Sequence, residues 1–327
     1  MSKTSLIVLN MLANGDFQSG ELIGQKLGIS RMAVSKAIKG LNERGINITS
    51  VPGKGYRLEG PLQLLDKDAI RARLDTGGYS DFQIDILHDI DSTSDYLLQQ
   101  SRVRDVNRTV CLAENQNSGR GRRHRQWHAS PYRNITLSIG WRFEDGMSAL
   151  SGLGIAAGIT IAKTLHEAGL DRNIGLKWPN DIIWKESKLG GLLIDVRGEH
   201  DGPCLVVLGL GLNLSLSVQD QQAIDQACTS LEQISGIVVD RNALVADMIH
   251  ALANLFEGYS ASGFDSFHHL WTDYDRLHGR EVNVIRGEKI FTGLAMGIDE
   301  FGALLVDEGK GSFSRFLSGD VSLRLAR

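Results

Sequence analysis

A chain of 327 residues has room for two or three domains. With 42% hydrophobic and 23% charged residues it has the make-up of an ordinary soluble globular protein, and a formal net charge of −4 excludes a surface that coats nucleic acid non-specifically. Cys111, Cys204 and Cys228 share no metal or redox spacing, the start lacks a signal-peptide cleavage pattern, and the longest apolar stretch (204–216) is too short to span a bilayer as a helix; together these predict a reduced, cytoplasmic protein with no membrane contact.

Residues 1–60 read as a small separate unit. "SLIVLNMLANG" predicts a helix that ends near Gly15, and "SGELIGQKLG" a second, with Ser19 as N-cap and Gly28 as stop. "ISRMAVSKAIKGLNERG" predicts a third helix capped by Ser30, with Val34, Ile38 and Leu41 on one face and Arg31, Ser35, Lys36, Lys39 and Asn42 left outside. The tight "LGIS" turn suits a helix-turn-helix, and "INITSVPGKGYRLEG" suits a hairpin tipped by Gly53, Lys54 and Gly55. Such a pair is a winged helix. The segment carries eight Lys/Arg against four Asp/Glu, a basic island in an acidic chain. DNA is therefore the expected partner here, through Arg31, Ser35, Lys36, Lys39 and Lys54. A protein-binding module with a solvated helical face is the alternative.

Residues 62–80 predict a connector holding one amphipathic helix. Beyond it, strands and helices mix in an α+β pattern. "FQIDILHDI", "TVCLAENQNS" and "NITLSIGWRF" read as strands, and "DSTSDYLLQQS" as an N-capped helix. "ALSGLGIAAGITIAKTLHEAG" reads as a long buried helix, "IGLKWPND" and "LGGLLIDVRG" as a strand pair, "PCLVVLGLGLNLSL" as a strand, and "DRNALVADMIHALANLFEGYS" as a helix. From about residue 275 short alternating strands separated by glycine-containing turns predict a small β-barrel.

Three segments carry chemistry. "SGRGRRHRQWHA", residues 118–129, holds four arginines and two histidines between two strands. No helix follows, so it is not a dinucleotide fingerprint, and no Walker A sequence occurs anywhere. Glycines between the arginines let backbone N–H groups approach an anion while permanently charged guanidinium groups close over it. An exposed, merely solvated loop has the same composition. "KWPNDIIWKESKLGG" gathers Lys177, Asp181 and Lys188 around one hairpin; Asp181 reads either as an oxygen ligand for Mg²⁺ or as a base toward an amine. In "GLGLN", Gly209 and Gly211 face the same side of a strand, leaving either a slot for a flat ligand or room for close packing. No residue cluster has the spacing of a metal site.

"DST", "ENQNSGRGRRHRQW", "KWPND", "KLGGLL" and "GLGLN", in this order and behind a winged helix, resemble the biotin–protein ligases, in their bifunctional ligase and biotin-operon-repressor form. The resemblance covers the whole chain. It implies a winged helix-turn-helix at 1–62, an α+β biotin/lipoate-ligase-like catalytic domain at 63–274 and an SH3-like β-barrel at 275–327. It implies ATP and biotin as substrates, with Mg²⁺ accompanying ATP and pyrophosphate. The partners implied are the biotin carboxyl carrier protein of acetyl-CoA carboxylase, biotin operator DNA and a second copy of the chain, joined when biotinyl-AMP binds. Ser92, Thr93, Ser94 and Gln116 are then expected at the biotin head group, between walls that include Gly191, Gly209, Gly211 and Asn213. Gly119, Arg120, Gly121 and Arg122 are expected at the carboxylate and phosphate, and Lys188 at their junction. Trp127 is expected over the closed loop, and Asp181 beside the acceptor lysine. His124 stands where similar loops carry glycine, His128 where they carry an aromatic residue, and Ser94 and Asp95 where Asn and Gln are common. A lipoate ligase, a regulator that only senses a small molecule, and a ligase with a vestigial N-terminal domain are the other readings.

Overall fold

The computed structural model describes residues 1–60, 62–216, 218–224, 226–309, 311, 313–319 and 321–325, and the side chains of 218, 219, 223 and 322 are outside the description. The first helices are α1 (Lys3–Leu12), α2 (Gly20–Leu27) and α3 (Arg31–Asn42). Serine begins the second and third: Ser19 Oγ accepts from the Glu21 and Leu22 amides, and Ser30 Oγ from Ala33. Gly28 ends α2 at φ +64°, where a Cβ would be strained. Val34, Ile38 and Leu41 are buried against Val8, Leu9, Leu12 and Ile23. The wing is β1 (Ile48–Val51) paired antiparallel with β2 (Gly55–Leu58). Arg31, Ser35, Lys36, Lys39 and Lys54 are all exposed. Asn42 does different work: its side chain donates to Ile48 O (3.1 Å) and accepts from Ile48 N (2.7 Å), tying α3 to the wing.

This unit does not close its own core. Tyr132, 2% exposed and far along the chain, packs into it. Arg44 donates to both carboxylate oxygens of Asp89 at 2.8 Å, and Arg133 donates to Glu59 O. Tyr132 has φ +64°, a rare conformation for a bulky residue, held by its N–H to Glu114 O at 2.8 Å.

The connector contains α4 (Lys67–Thr76), capped by Asp66 and burying Ile70 and Leu74. Next come β3 (Gln83–Leu87), α5 (Thr93–Gln100), β4 (Thr109–Ala113), β5 (Asn134–Phe143), α6 (Leu153–Glu167), β6 (Ile174–Lys177), β7 (Asp181–Trp184), β8 (Ser187–Gly198) and β9 (Cys204–Asn213). They are followed by α7 (Val218–Ala223), α8 (Leu231–Ser235), α9 (Arg241–Ser262), α10 (Asp265–His268) and α11 (Trp271–Tyr274). The sheet order is β3-β4-β5-β9-β8-β7-β6, antiparallel except for β3 beside β4. "IGLKWPND" and "LGGLLIDVRG" are therefore not direct partners. The four-residue strand β7 lies between them, hidden in the sequence by the turns on either side.

Leu208, Leu210 and Leu212 of β9 and Ile135, Leu137 and Ile139 of β5 face the core shared with α4, α6 and α9. The alternate residues face α5, where Leu97 and Leu98 pack on Cys111 and Val207. Near the ends of β5 and β9 this second face bears small and polar residues, with Ser138 opposite Gly209, Thr136 opposite Gly211 and Asn134 opposite Asn213.

The C-terminal part is a five-stranded antiparallel sheet of β10 (Glu281–Arg286), β11 (Lys289–Ile298), β12 (Leu304–Asp307), β13 (Phe313–Phe316) and β14 (Ser322–Leu325), ordered β13-β12-β11-β10-β14. Val282, Val284, Leu304 and Phe316 continue the central core, and Trp178 Nε1 donates to Gly302 O at 3.0 Å. Among the described residues no helix is long and apolar enough to cross a membrane.

Candidate active site

A cleft of about 1230 Å³ opens on the α5 side of the sheet, between the arginine loop, the β6–β7 turn and the C-terminal sheet. Its inner end is a hydroxyl and amide cluster. Ser92 caps α5, which places Thr93 and Ser94 in its first turn. Thr93 donates to Gln116 Oε1 from its amide (2.8 Å) and its hydroxyl (3.0 Å). Ser138 Oγ lies 2.7 Å from Thr93 Oγ1 and 2.9 Å from Ser94 Oγ. A Cβ at Gly209 would stand 2.6 Å from Ser94 Oγ, so only glycine leaves this corner open. Sequence reasoning missed Ser138. The signal was in "NITLSIGWRF", where Asn134, Thr136, Ser138 and Gly140 recur with the period of two that puts them on one face.

The arginine loop is a folded hairpin. Arg120 bridges to Gln126, Trp127 N–H donates to Gly119 O, and Gly121 N–H donates to Arg125 O, both at 2.7 Å. The Gly121 amide is thus spent inside the hairpin and is not offered to an anion, contrary to the sequence expectation; the positive charge comes from side chains. The tip is a 3₁₀ turn at Arg122–His124, with Arg123 at φ +56° and His124 at φ +60°, the left-handed geometry that glycine adopts more cheaply. Gly119 is required by proximity, since its Cβ would lie 2.6 Å from Trp127 O.

Arg122 turns inward and approaches Asn180 Oδ1 at 3.4 Å. Burial pulls its guanidinium below the ordinary arginine value, and the nearby Asp181 partly restores it. Lys188 Nζ sits 2.6 Å from Asp181 Oδ1 and 5.7 Å from the Trp127 ring centre. A Cβ at Gly191 would reach 3.3 Å from Lys188 Cε, so Gly191 leaves Lys188 its space. Lys177 is also depressed, chiefly by burial and then by Lys188 and the neighbouring arginines. Three cations thus share one carboxylate, a site ready for an anion.

Trp127 lies over Gly211, where a Cβ would come 2.3 Å from its ring. Among the described residues its Nε1 is buried without a partner, as is Asn213 Oδ1, whose Nδ2 donates to Thr229 O at 3.1 Å. Orphaned polar atoms beside a cleft are groups a ligand can satisfy. Arg120 lines the cleft with its guanidinium already engaged by carboxylates. It donates to Asp95 Oδ1 (2.8 Å) and to both oxygens of Asp195 (3.0 and 2.9 Å). The outer side of the C-terminal sheet supplies a wall that no motif announced, formed by Asn283, Ile285, Ile290 and Arg324. Among the described residues no group of three or more His, Cys, Asp or Glu side chains has metal-site geometry.

A hydroxyl-lined inner pocket, a cationic outer pocket and a helix-turn-helix on the same chain define an acid-activating ligase of the biotin/lipoate class joined to a DNA-binding unit. Residues 87–213 match the model of the biotin/lipoate A/B protein ligase family, residues 277–324 that of the biotin protein ligase C-terminal domain, and residues 5–57 that of an HTH domain. The chain is 37% identical over 322 residues to the bifunctional ligase/repressor BirA of Salmonella typhimurium, covering 98% of each. It is 29% identical over 325 residues to that of Bacillus subtilis, again over 98% of each. The biotin protein ligase of Aquifex aeolicus, solved with biotin and ATP, superposes at a TM-score of 0.62 with 24% identity, covering 75% of this chain and 99% of that one. The chain belongs to the biotin protein ligases, in their bifunctional ligase/repressor form.

Proposed function

We propose that this cleft activates biotin with ATP and passes the biotinyl group to a lysine of the biotin carboxyl carrier protein of acetyl-CoA carboxylase, and that the winged helix represses a biotin operator with biotinyl-AMP as corepressor. The observation that carries this reading is the placement of Arg122, Lys177 and Lys188 beyond the Thr93–Ser94–Gln116–Ser138 cluster. In the first step a biotin carboxylate oxygen attacks the α-phosphorus of ATP and pyrophosphate leaves. In the second the lysine amine attacks the acyl carbon, AMP leaves, and the amine loses a proton. Arg122 and Lys188 stabilise charge that develops at the carboxylate–phosphate junction. Asp181, paired with Lys188, positions the incoming amine; Mg²⁺ enters on the phosphates of ATP. Gly191, Gly209, Gly211 and Asn213 form the walls, with Trp127 above them. In this reading residues 1–62 bind DNA, 63–274 form the catalytic domain and 275–327 an SH3-like barrel that closes the cleft.

Arg122→Ala tests the anion site. The lost charge-assisted contact is expected to cost roughly 1.5–3 kcal/mol of adenylate binding. Release of biotinyl-adenylate from the folded variant, followed by fluorescence, should quicken about tenfold to a hundredfold. An unchanged adenylate lifetime would remove Arg122 from the site.

One winged helix offers few base contacts, so tight repression calls for two copies on a two-part operator. The proposed dimer surface is the outer half of β8: β7 pairs with it only as far as Gly191, and among the described residues 193–198 pair with β9 on one side alone. The carrier protein would compete for the same edge. Sedimentation equilibrium with and without biotin plus ATP, followed by operator titration, should show ligand-strengthened association and tighter DNA binding. Ligand-independent association would end the corepressor coupling and leave the ligase reading standing.

A further inference from the structure

The outer face of α3 carries one side chain suited neither to a phosphate nor to a hydrogen-bonding base edge. Val34, Ile38 and Leu41 hold the inner side of this helix in the core. Met32 stands on the opposite side and is 82% exposed, the most exposed large apolar side chain among the described residues. At helical spacing it shares that side with Ser35, Lys36 and Lys39, all exposed, and exposed Arg31 precedes it. Sequence reasoning picked these polar neighbours and passed over Met32. A single exposed apolar side chain on a protein surface is ordinary. This one lies in the first turn of the second helix of a helix-turn-helix, the turn that such units present to base edges in the major groove. The approach of that turn is fixed. Ile29 N–H donates to Gly24 O at 3.0 Å, and a Cβ at Gly24 would stand 2.7 Å from Ile29 O, so α2 and the connection to α3 pack closely.

We propose that Met32 is a specificity-determining residue for operator DNA, reading the 5-methyl group of a thymine in the major groove. The proposal rests on the repressor reading of the winged helix and names a chemical feature of its operator. Every base pair shows hydrogen-bond donors and acceptors in that groove, and thymine alone adds an apolar group. Arg31, Ser35 and Lys36 bond to base edges or phosphates and gain nothing from a methyl group. Met32 offers no donor and gains nothing from O6, N7 or a phosphate oxygen. Its unbranched, polarisable thioether settles on a methyl group without demanding one exact geometry. The contact takes apolar surface of both partners out of water, and it favours thymine over cytosine, whose edge carries an amine and no methyl. Lys36 and Lys39 beside it, with Lys54 on the wing, supply charge for the phosphates that set the position of the helix.

The test removes the methyl group from the DNA and the thioether from the protein in turn. The full chain, with biotin and ATP, first selects bound duplexes from a pool of random-sequence DNA. In the selected duplex each thymine is then replaced singly by deoxyuridine, which lacks only the 5-methyl group. Affinities are titrated by fluorescence anisotropy at one salt concentration for the wild type, Met32→Ala and Met32→Leu. At a thymine within the selected half-site the replacement should weaken the wild type about fourfold, the worth of one buried methyl group. The same replacement should leave Met32→Ala unaffected, while Met32→Leu, which keeps an apolar side chain, should still respond. Because no cation is lost, the salt dependence of binding should be the same for Met32→Ala and the wild type, unlike that of Lys36→Ala. The melting temperatures of the three proteins should agree, since Met32 packs on nothing in the core. A selected duplex in which no thymine methyl affects the wild type would overturn the proposal, as would a methyl group that Met32→Ala feels as strongly as the wild type. A pool from which no sequence is enriched would overturn the repressor reading and this proposal with it, so the two failures are told apart.

Discussion

Lys188→Ala is expected to slow biotinyl-adenylate formation by about 10²–10³-fold, the loss typical of removing one preorganised electrostatic group from a reacting centre. Lys188 Nζ is held by Asp181 at 2.6 Å and lies over the Trp127 ring, with Gly191 leaving it space. Its charge therefore costs no reorganisation when negative charge builds between the carboxylate and the α-phosphate. Arg122 is tied to the hairpin and cannot take over. Lys188 and Asp181 are each 20% exposed in their side chains, so the alanine variant leaves Asp181 in contact with water and the melting temperature should move by no more than about 2 °C. Single-turnover adenylation with biotin and ATP, quenched in acid, reads the step directly. A wild-type rate in the variant would reduce Lys188 to an ordinary residue at a strand start.

The second large effect is on folding. Arg241 and Glu114 form an ion pair at 2.5 Å with side chains 3% and 1% exposed. Arg241 also donates to Asn134 O at 2.7 and 3.1 Å and to Gln63 O at 3.1 Å, while Glu114 accepts from the Leu65 amide at 2.7 Å. The pair thus fastens the connector, the exit of the arginine hairpin and the start of β5 at one point. Removing one member strands a buried charge, and Arg241→Met is expected to cost about 3–5 kcal/mol. For a chain of this size that lowers the melting temperature by about 6–15 °C. Replacing both residues, as Glu114→Gln with Arg241→Met, should recover part of the loss, because neither charge is then left alone. A single variant that melts with the wild type would show that the pair carries no such load.

The local parts of this structure were legible in the chain. Ser19, Ser30 and Gly28 bound their helices because caps act within three or four residues. Gly209 and Gly211 face one side because strand geometry alternates. What escaped was long-range. The partners of Arg120 lie 25 and 75 residues away, and nothing near Arg120 signals that its charge is spent on Asp95 and Asp195. Tyr132 lies outside every element the sequence predicts, yet it fills the winged-helix core, so the unit at 1–60 is not self-contained. β7 is four residues long, below the length at which alternation is convincing, and its omission misassigned the neighbours of β8. The C-terminal sheet reads as a separate barrel, because only the folded chain brings Asn283, Ile285 and Arg324 to the cleft.

In the proposed function this cleft joins biotin's carboxylate to the α-phosphate of ATP. Isotope exchange between pyrophosphate and ATP, catalysed by the wild-type chain with biotin, lipoate or octanoate as the added acid, tests it most directly. Adenylation is reversible, so exchange appears only when the acid is activated. Exchange that depends on biotin and is weak or absent with lipoate and octanoate is the expected result. Exchange driven equally well by lipoate, or none with any acid in a folded protein that still binds biotin, would contradict it.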